Sequence, residues 1–159
     1  MTTQPQPSKN TSDTAAETEE WRRLYEAFAL LRKETDRALA PLAGTVAQAY
    51  LLAVLDVVGR PLPVTELART MLQESPSVTR LIDRMSYRGL VRRLPDPTDR
   101  RRSLVAATEK GKRLFEQLRK PAKETSDEAF GVLSPRERST FKRLLLKFTN
   151  AARQRVGIG

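Results

Sequence analysis

Apolar residues recur at helical spacing along most of the chain. From Trp21 they fall at Leu24, Tyr25, Phe28 and Leu31, then at Ala38, Leu39 and Leu42, which predicts one long helix running up to Pro41. A second stripe, Ala47, Tyr50, Leu51, Val54, Leu55 and Val58, stops at Gly59 and is followed by Pro61 and Pro63, the pattern of a glycine C-cap and a rigid turn. Val64, Leu67, Ala68 and Met71 share one face of a short third helix. A fourth opens at Ser75, expected to cap free backbone N–H groups, with Pro76 at the first helical position, where a missing N–H costs nothing. Its inner face is Val78, Leu81, Ile82 and Met85. Ser77, Arg80, Asp83, Arg84 and Tyr87 are left outside, Thr79 lies at the boundary, and Gly89 ends the helix.

The period then changes. Leu90 to Leu94 alternates apolar residues with arginine, Pro95 to Asp99 is rich in turn formers, and Ser103 to Thr108 is again strand-like, so two strands with a charged loop between them are expected. Leu114, Phe115 and Leu118 return to helical spacing from Glu109 on, with Pro121 expected to kink or break that helix before Ala122 to Phe130. Ser134, Pro135 and Glu137 form a capping-box signature and open a last helix with Phe141, Leu144, Leu145 and Phe148 on one face. The predicted fold is mainly α with a small β-wing. Residues 1–16, rich in Thr, Gln, Pro, Ser and Glu, cannot offset the entropy of ordering and are expected to form a disordered tail; residues 17–159 form a single domain.

Composition narrows the chemistry. At 159 residues there is room for one ordinary domain and no second enzymatic one. The chain contains no cysteine and no histidine, which removes disulfides, thiolate nucleophiles, thiol redox switches, sulfur-ligated zinc and the commonest general base. Neither a phosphate-binding glycine loop nor a motif of paired carboxylates is present, so an enzyme is not expected, and neither a metal nor a cofactor. No secretory signal is apparent and no run approaches the ~18 apolar residues of a membrane span, so a cytoplasmic protein without a membrane partner is expected. Residues 21–159 hold 28 basic against 15 acidic side chains, a net +13, which favours a polyanionic partner.

That charge is not spread evenly. Ser75 to Arg113 carries 11 basic and 4 acidic residues, a net +7. A short helix, a tight turn and a second helix with small polar and arginine side chains outward suit a reader of the DNA major groove, so Ser75, Pro76, Ser77, Thr79, Arg80 and Arg84 are candidate base or phosphate contacts. Arg100, Arg101 and Arg102 crowd a hairpin tip where they repel one another unless a phosphate-lined groove receives them, and Asp99 is placed to orient one of them.

The stretch VTELARTMLQESPSVTRLIDRMSYRGLVRRLPDPTDRRRSLVAATEKGKRL, residues 64–114, closely resembles the MarR family of bacterial regulators, with RGLVRR, DPTDRR and TEKG in that order. The resemblance implies an α+β winged helix-turn-helix fold, with six helices and a two- or three-stranded antiparallel wing. It implies a DNA-binding lobe over 45–108, with dimerisation helices over 17–44 and 109–155. It implies a recognition helix at Ser75 to Arg88 and a wing at Pro95 to Arg102 whose Arg101, braced by Asp99, enters the minor groove. It also implies a homodimer whose terminal helices interleave, giving Leu24, Phe141, Leu144, Leu145 and Phe148 an interface to cover. Two departures stand out: Ala107 replaces a leucine common before the threonine, so the second strand is expected to pack more loosely, and Pro121 interrupts a helix often continuous.

Many members of the family respond to small, often aromatic, anions bound between the dimerisation helices and the DNA-binding lobe. Trp21, Tyr25, Phe28 and Tyr50, with Arg32 as anion partner, are the candidates for such a cleft, although as apolar-face residues they read first as core. The expected function is a sequence-specific regulator that binds a pseudo-palindromic double-stranded operator as a homodimer, a repressor released by a small aromatic effector. A transcriptional activator and a low-specificity architectural DNA binder are the alternatives.

Overall fold

The computed structural model describes residues 11–99 and 102–157, with side chains from residue 19 on. The first helix, α1 (Thr11–Leu39), starts inside the segment expected to be a disordered tail. Ala15, Ala16, Glu17, Glu19 and Glu20 are strong helix formers, and extending an existing helix adds one hydrogen bond per residue with no tertiary contact required. A 3-10 turn at Ala40–Leu42 absorbs Pro41, and Ala43 at φ 51° reverses the chain. Helix α2 (Val46–Val58) is capped by Thr45 and closed by Gly59 at φ 68°, as the pattern of its apolar positions requires.

Strand β1 (Leu62–Pro63) runs straight into α3 (Val64–Met71), which a turn joins to α4 (Ser75–Tyr87). Strands β2 (Val91–Pro95) and β3 (Ser103–Ala107) follow, then α5 (Glu109–Phe130) and α6 (Pro135–Arg155). The sheet is antiparallel in the order β1-β3-β2; Val91 faces Ala107 and Pro95 faces Ser103 across the hairpin, while Leu62 pairs with Val105. The wing is therefore three-stranded. Its third strand lies in the Pro61–Pro63 segment, legible in sequence only as a turn, because a two-residue strand has no periodicity and Pro63 is tolerated at a sheet edge.

The core gathers Leu39 of α1, Leu51, Leu52 and Leu55 of α2, Leu67 and Met71 of α3, Val78, Ile82 and Met85 of α4, Val105 of β3 and Leu118 of α5. Pro121 lies inside α5 and does not break it. Losing its N–H costs about 3 kcal/mol in a free helix, but Leu114 and Leu118 bury against the core and Ala122 packs on it, which holds the helix through the proline. Ala107 is half-buried at the end of β3, and its short side chain leaves a hollow beneath the strand.

The terminal helices are less covered. No residue of α6 is buried, and Phe141, Leu144, Leu145 and Phe148 lie exposed, as do Trp21, Leu24, Tyr25 and Phe28 of α1. Among the described residues no single helix is long and apolar enough to cross a membrane.

Candidate nucleic-acid interface

The turn between α3 and α4 is made by Leu72 in the left-handed region at φ 54°, with the Gln73 N–H donating to the Ala68 carbonyl at 3.0 Å. The N-cap of α4 is Glu74, not Ser75, and no side chain caps the helix; the Glu74 carbonyl accepts from the N–H groups of Ser77 at 3.0 Å and Val78 at 3.2 Å. Ser75 is already within the first helical turn, and its carbonyl accepts the Thr79 hydroxyl at 2.9 Å. The expected capping by Ser75 is thus corrected: the backbone enters the helix one residue earlier, and the serine hydroxyl is free of that duty.

Burying Val78, Leu81, Ile82 and Met85 turns the opposite side of α4 to solvent. Ser77, Arg80, Arg84 and Tyr87 then form one stripe at spacings of a helical turn. Arg80 Nη2 donates to Ser77 Oγ at 3.4 Å, and neither Arg80 nor Arg84 is in an ion pair among the described residues. The acid on this face, Asp83, is engaged by Arg93 of β2 at 2.7 Å, and Arg93 also donates to Ser103 Oγ at 3.2 Å. This link between recognition helix and wing was not singled out in the sequence. Its signal was the alternation in β2, which sends Arg92 and Arg93 to opposite faces of the sheet. Tyr87, 95% exposed and placed outward by the sequence but not among the candidate contacts, extends the arginine stripe. Gly89 at φ 70° ends the helix in a Schellman turn, Leu90 N–H donating to Met85 O and Gly89 N–H to Ser86 O, both at 2.8 Å.

The wing closes around Asp96, which is 7% exposed. Its carboxylate accepts the Thr98 hydroxyl at 2.7 Å and the Thr98 N–H at 2.9 Å, and Arg102 Nε stands 3.9 Å away. The Thr98 hydroxyl above all, then the backbone N–H groups of Thr98 and Asp99 and the charge of Arg102, hold the Asp96 carboxyl below the usual aspartate range against its burial. The Arg102 N–H donates to the Asp99 carbonyl at 2.9 Å, which sets the loop's return. Arg100 and Arg101 lie outside the described residues, and with them the expected brace from Asp99.

Behind the wing, Thr108 Oγ1 donates to the Gly89 carbonyl at 2.7 Å and accepts the Gly111 N–H at 3.1 Å, while Lys110 Nζ reaches the Arg88 carbonyl at 2.9 Å. The T-x-x-G motif is thus the joint that pins α5 to the end of the recognition helix.

The cleft residues separate. A largely apolar cavity of about 590 Å³ lies between α1, α2 and α5, with Leu39, Val46, Ala49, Phe115 and Leu118 in its wall and Arg119, Lys120 and Lys123 among its lining. Tyr50 lines it, and its hydroxyl donates to the Thr70 carbonyl of α3 at 3.2 Å. Trp21, Tyr25, Phe28 and Arg32 do not line it; they stand exposed further up α1, so within one chain the three aromatics are neither core nor cavity wall.

Residues 45–102 match the MarR family. The chain is 33% identical over 110 residues to the multiple antibiotic resistance protein MarR of Salmonella typhimurium, covering 69% of this chain and 76% of that protein. In six curated relatives the matched stretch spans 54% to 76% of their length. The fold superposes on a mutant MarR of E. coli complexed with operator DNA, at TM-score 0.74 and 27% identity over 80% of this chain and 94% of that one. It also superposes on BpsR of Bordetella bronchiseptica, whose DNA binding is regulated by 6-hydroxynicotinic acid, at TM-score 0.76 and 26% identity over 82% and 98%. A three-stranded wing, a recognition helix with its arginines outward and these likenesses agree: the chain belongs to the MarR family of winged helix transcriptional regulators.

Proposed function

We propose that this chain binds a pseudo-palindromic operator in double-stranded DNA as a homodimer and represses transcription from it. The observation that carries this reading is the α4 stripe of Ser77, Arg80, Arg84 and Tyr87, whose arginines form no ion pair among the described residues, Asp83 being taken up by Arg93. Arginine in such a position bonds guanine O6 and N7 with both arms, and the two α4 helices of a dimer enter successive major grooves about one helical turn apart. The wings, with Arg100, Arg101 and Arg102, grip the flanking minor grooves, Asp99 orienting one arginine and Asp96 holding the loop in shape. Ser75, Pro76 and Thr79 lie at the entering end of α4, where the backbone of the DNA passes closest. The likeness to a mutant E. coli MarR complexed with operator DNA supports operator DNA as the partner.

The dimer is supported by the uncovered apolar faces of α1 and α6, which include Leu24, Phe141, Leu144, Leu145 and Phe148. A small aromatic anion in the α1–α2–α5 cavity releases the DNA: its apolar wall takes a ring, Arg119, Lys120 and Lys123 take a carboxylate, and Tyr50 connects the cavity to α3. The regulation of BpsR by 6-hydroxynicotinic acid supports that class of effector.

The test is a fluorescence-anisotropy competition between the chain's own upstream DNA and random duplex at two salt concentrations, repeated with aromatic acids. Two chains per site and a specific affinity at least ~10³-fold above the non-specific one are expected, with Arg80→Ala narrowing that ratio. Equal affinity for both duplexes refutes the operator reading.

A further inference from the structure

A second cavity lies on the other side of Phe115. It has a volume of about 390 Å³ and opens between the C-terminal end of α2, the wing strands β2 and β3 and the first turns of α5. Its apolar surface comes from Leu52, Leu55, Pro61, Ala106, Ala107 and Phe115. Space exists there because Ala107 is small; a leucine at this place in β3 would fill it. Phe115 also lines the α1–α2–α5 cavity, so its ring is the wall between the two.

The charges around this second cavity are not self-satisfied. Arg60 is held by Glu66 at 2.8 Å and Lys112 by Glu109 at 2.8 Å, both acids lying outside the lining. Arg92 and Asp56 also line it, yet they form no ion pair with each other, and neither has a hydrogen-bond or ion-pair partner among the described residues. A guanidinium and a carboxylate thus line one hollow without pairing, beside an apolar surface. Across the hairpin Arg92 pairs with Ala106 and shares its face of the sheet, opposite Arg93, which turns toward α4.

We infer that this hollow is a second small-molecule site, distinct from the α1–α2–α5 cavity, for a single-ring monocarboxylic acid carrying a hydrogen-bond donor at its far end. The carboxylate pairs with Arg92, while Arg60 and Lys112 stay on Glu66 and Glu109. The ring lies on Leu55, Ala107 and Phe115, and the donor bonds Asp56. Asp56 also sets the selectivity, because it repels a second carboxylate where it accepts a hydroxyl. The site does not depend on the DNA-binding reading, since none of these residues belongs to the α4 stripe.

The test is a titration of the full chain with 4-hydroxybenzoate, following the backbone amide resonances of Gly59, Ala106 and Ala107, with benzoate and terephthalate as comparisons. Saturable shifts of those amides are expected, strongest for 4-hydroxybenzoate and weakest for terephthalate. Arg92→Gln should weaken binding about tenfold, the loss of one charge-assisted bidentate contact. Ala107→Leu, which fills the hollow, should abolish the shifts. Ala53→Leu, which intrudes only on the α1–α2–α5 cavity, should leave them unchanged. Circular dichroism of each variant establishes that it is folded. The inference is overturned if the amides do not shift at millimolar ligand, if Arg92→Gln and Ala107→Leu bind like the parent, or if Ala53→Leu alone removes the shifts.

Discussion

Substituting alanine for Gly111 tests whether the joint between α5 and the recognition helix is as tight as its geometry indicates. In an open helix the change would stabilise the protein by about 1 kcal/mol, because alanine loses less backbone freedom on folding. Here an added Cβ would sit 2.0 Å from the Leu90 carbonyl oxygen and 3.0 Å from its carbon. An ordinary carbon–oxygen contact needs more than 3 Å by the usual van der Waals separation, roughly, so one backbone segment has to retreat by about 1 Å. That retreat pulls on the Thr108 N–H to Leu90 O bond at 3.0 Å and on the Thr108 side-chain bond to Gly89 O at 2.7 Å. Overpacking costs about 1–3 kcal/mol and a weakened cap about 1 kcal/mol more. After the propensity gain of about 1 kcal/mol is subtracted, a net destabilisation of about 1–3 kcal/mol is expected. For a chain of this size that lowers Tm by about 2–12 °C. Urea and thermal unfolding at one fixed protein concentration read it, since a dimer's apparent stability depends on concentration. A Gly111→Ala protein as stable as the parent, or more so, refutes the account of the T-x-x-G motif as a close-approach joint.

Acid should loosen the wing late. The folded wing favours the charged form of Asp96, so its contribution is complete above the ordinary aspartate pKa and is lost as pH falls through that value to the depressed folded one. The Thr98 amide resonance should therefore hold its folded position until the pH is below the normal aspartate range, and in Asp96→Asn it should be shifted at neutral pH; a transition at or above the ordinary value would contradict the buried-acceptor geometry. Leu145→Glu, which places charge on the uncovered stripe of α6, should convert the proposed dimer to monomer in light scattering while leaving helicity intact, and an unchanged mass would remove α6 from the interface. Ser134→Ala removes the hydroxyl that accepts the Glu137 N–H at 3.4 Å and donates to its carboxylate at 2.7 Å, and should cost about 1 kcal/mol in urea unfolding. No change there would mean that the capping box is idle.

Hydrophobic periodicity placed the helices, because each needs one continuous face in the core and that face repeats along the chain. Gly59, Gly89 and Ser134 marked ends that the backbone uses as expected, and the arginines of α4 were legible as an outward stripe as soon as Val78, Leu81, Ile82 and Met85 were assigned inward. No break occurs at Pro121, because local propensity says nothing of the packing that carries a helix through it, and Ser75 misled by one residue because a cap is a matter of backbone angles. What the tertiary structure alone decided are contacts between residues far apart in the chain. Arg93 meets Asp83, Gly111 meets Leu90, Leu62 finds Val105 as a third strand, and Asp56 comes to share a hollow with Arg92. Each depends on how elements cross in three dimensions, and a repeat read along one element carries no information about the angle at which it meets the next.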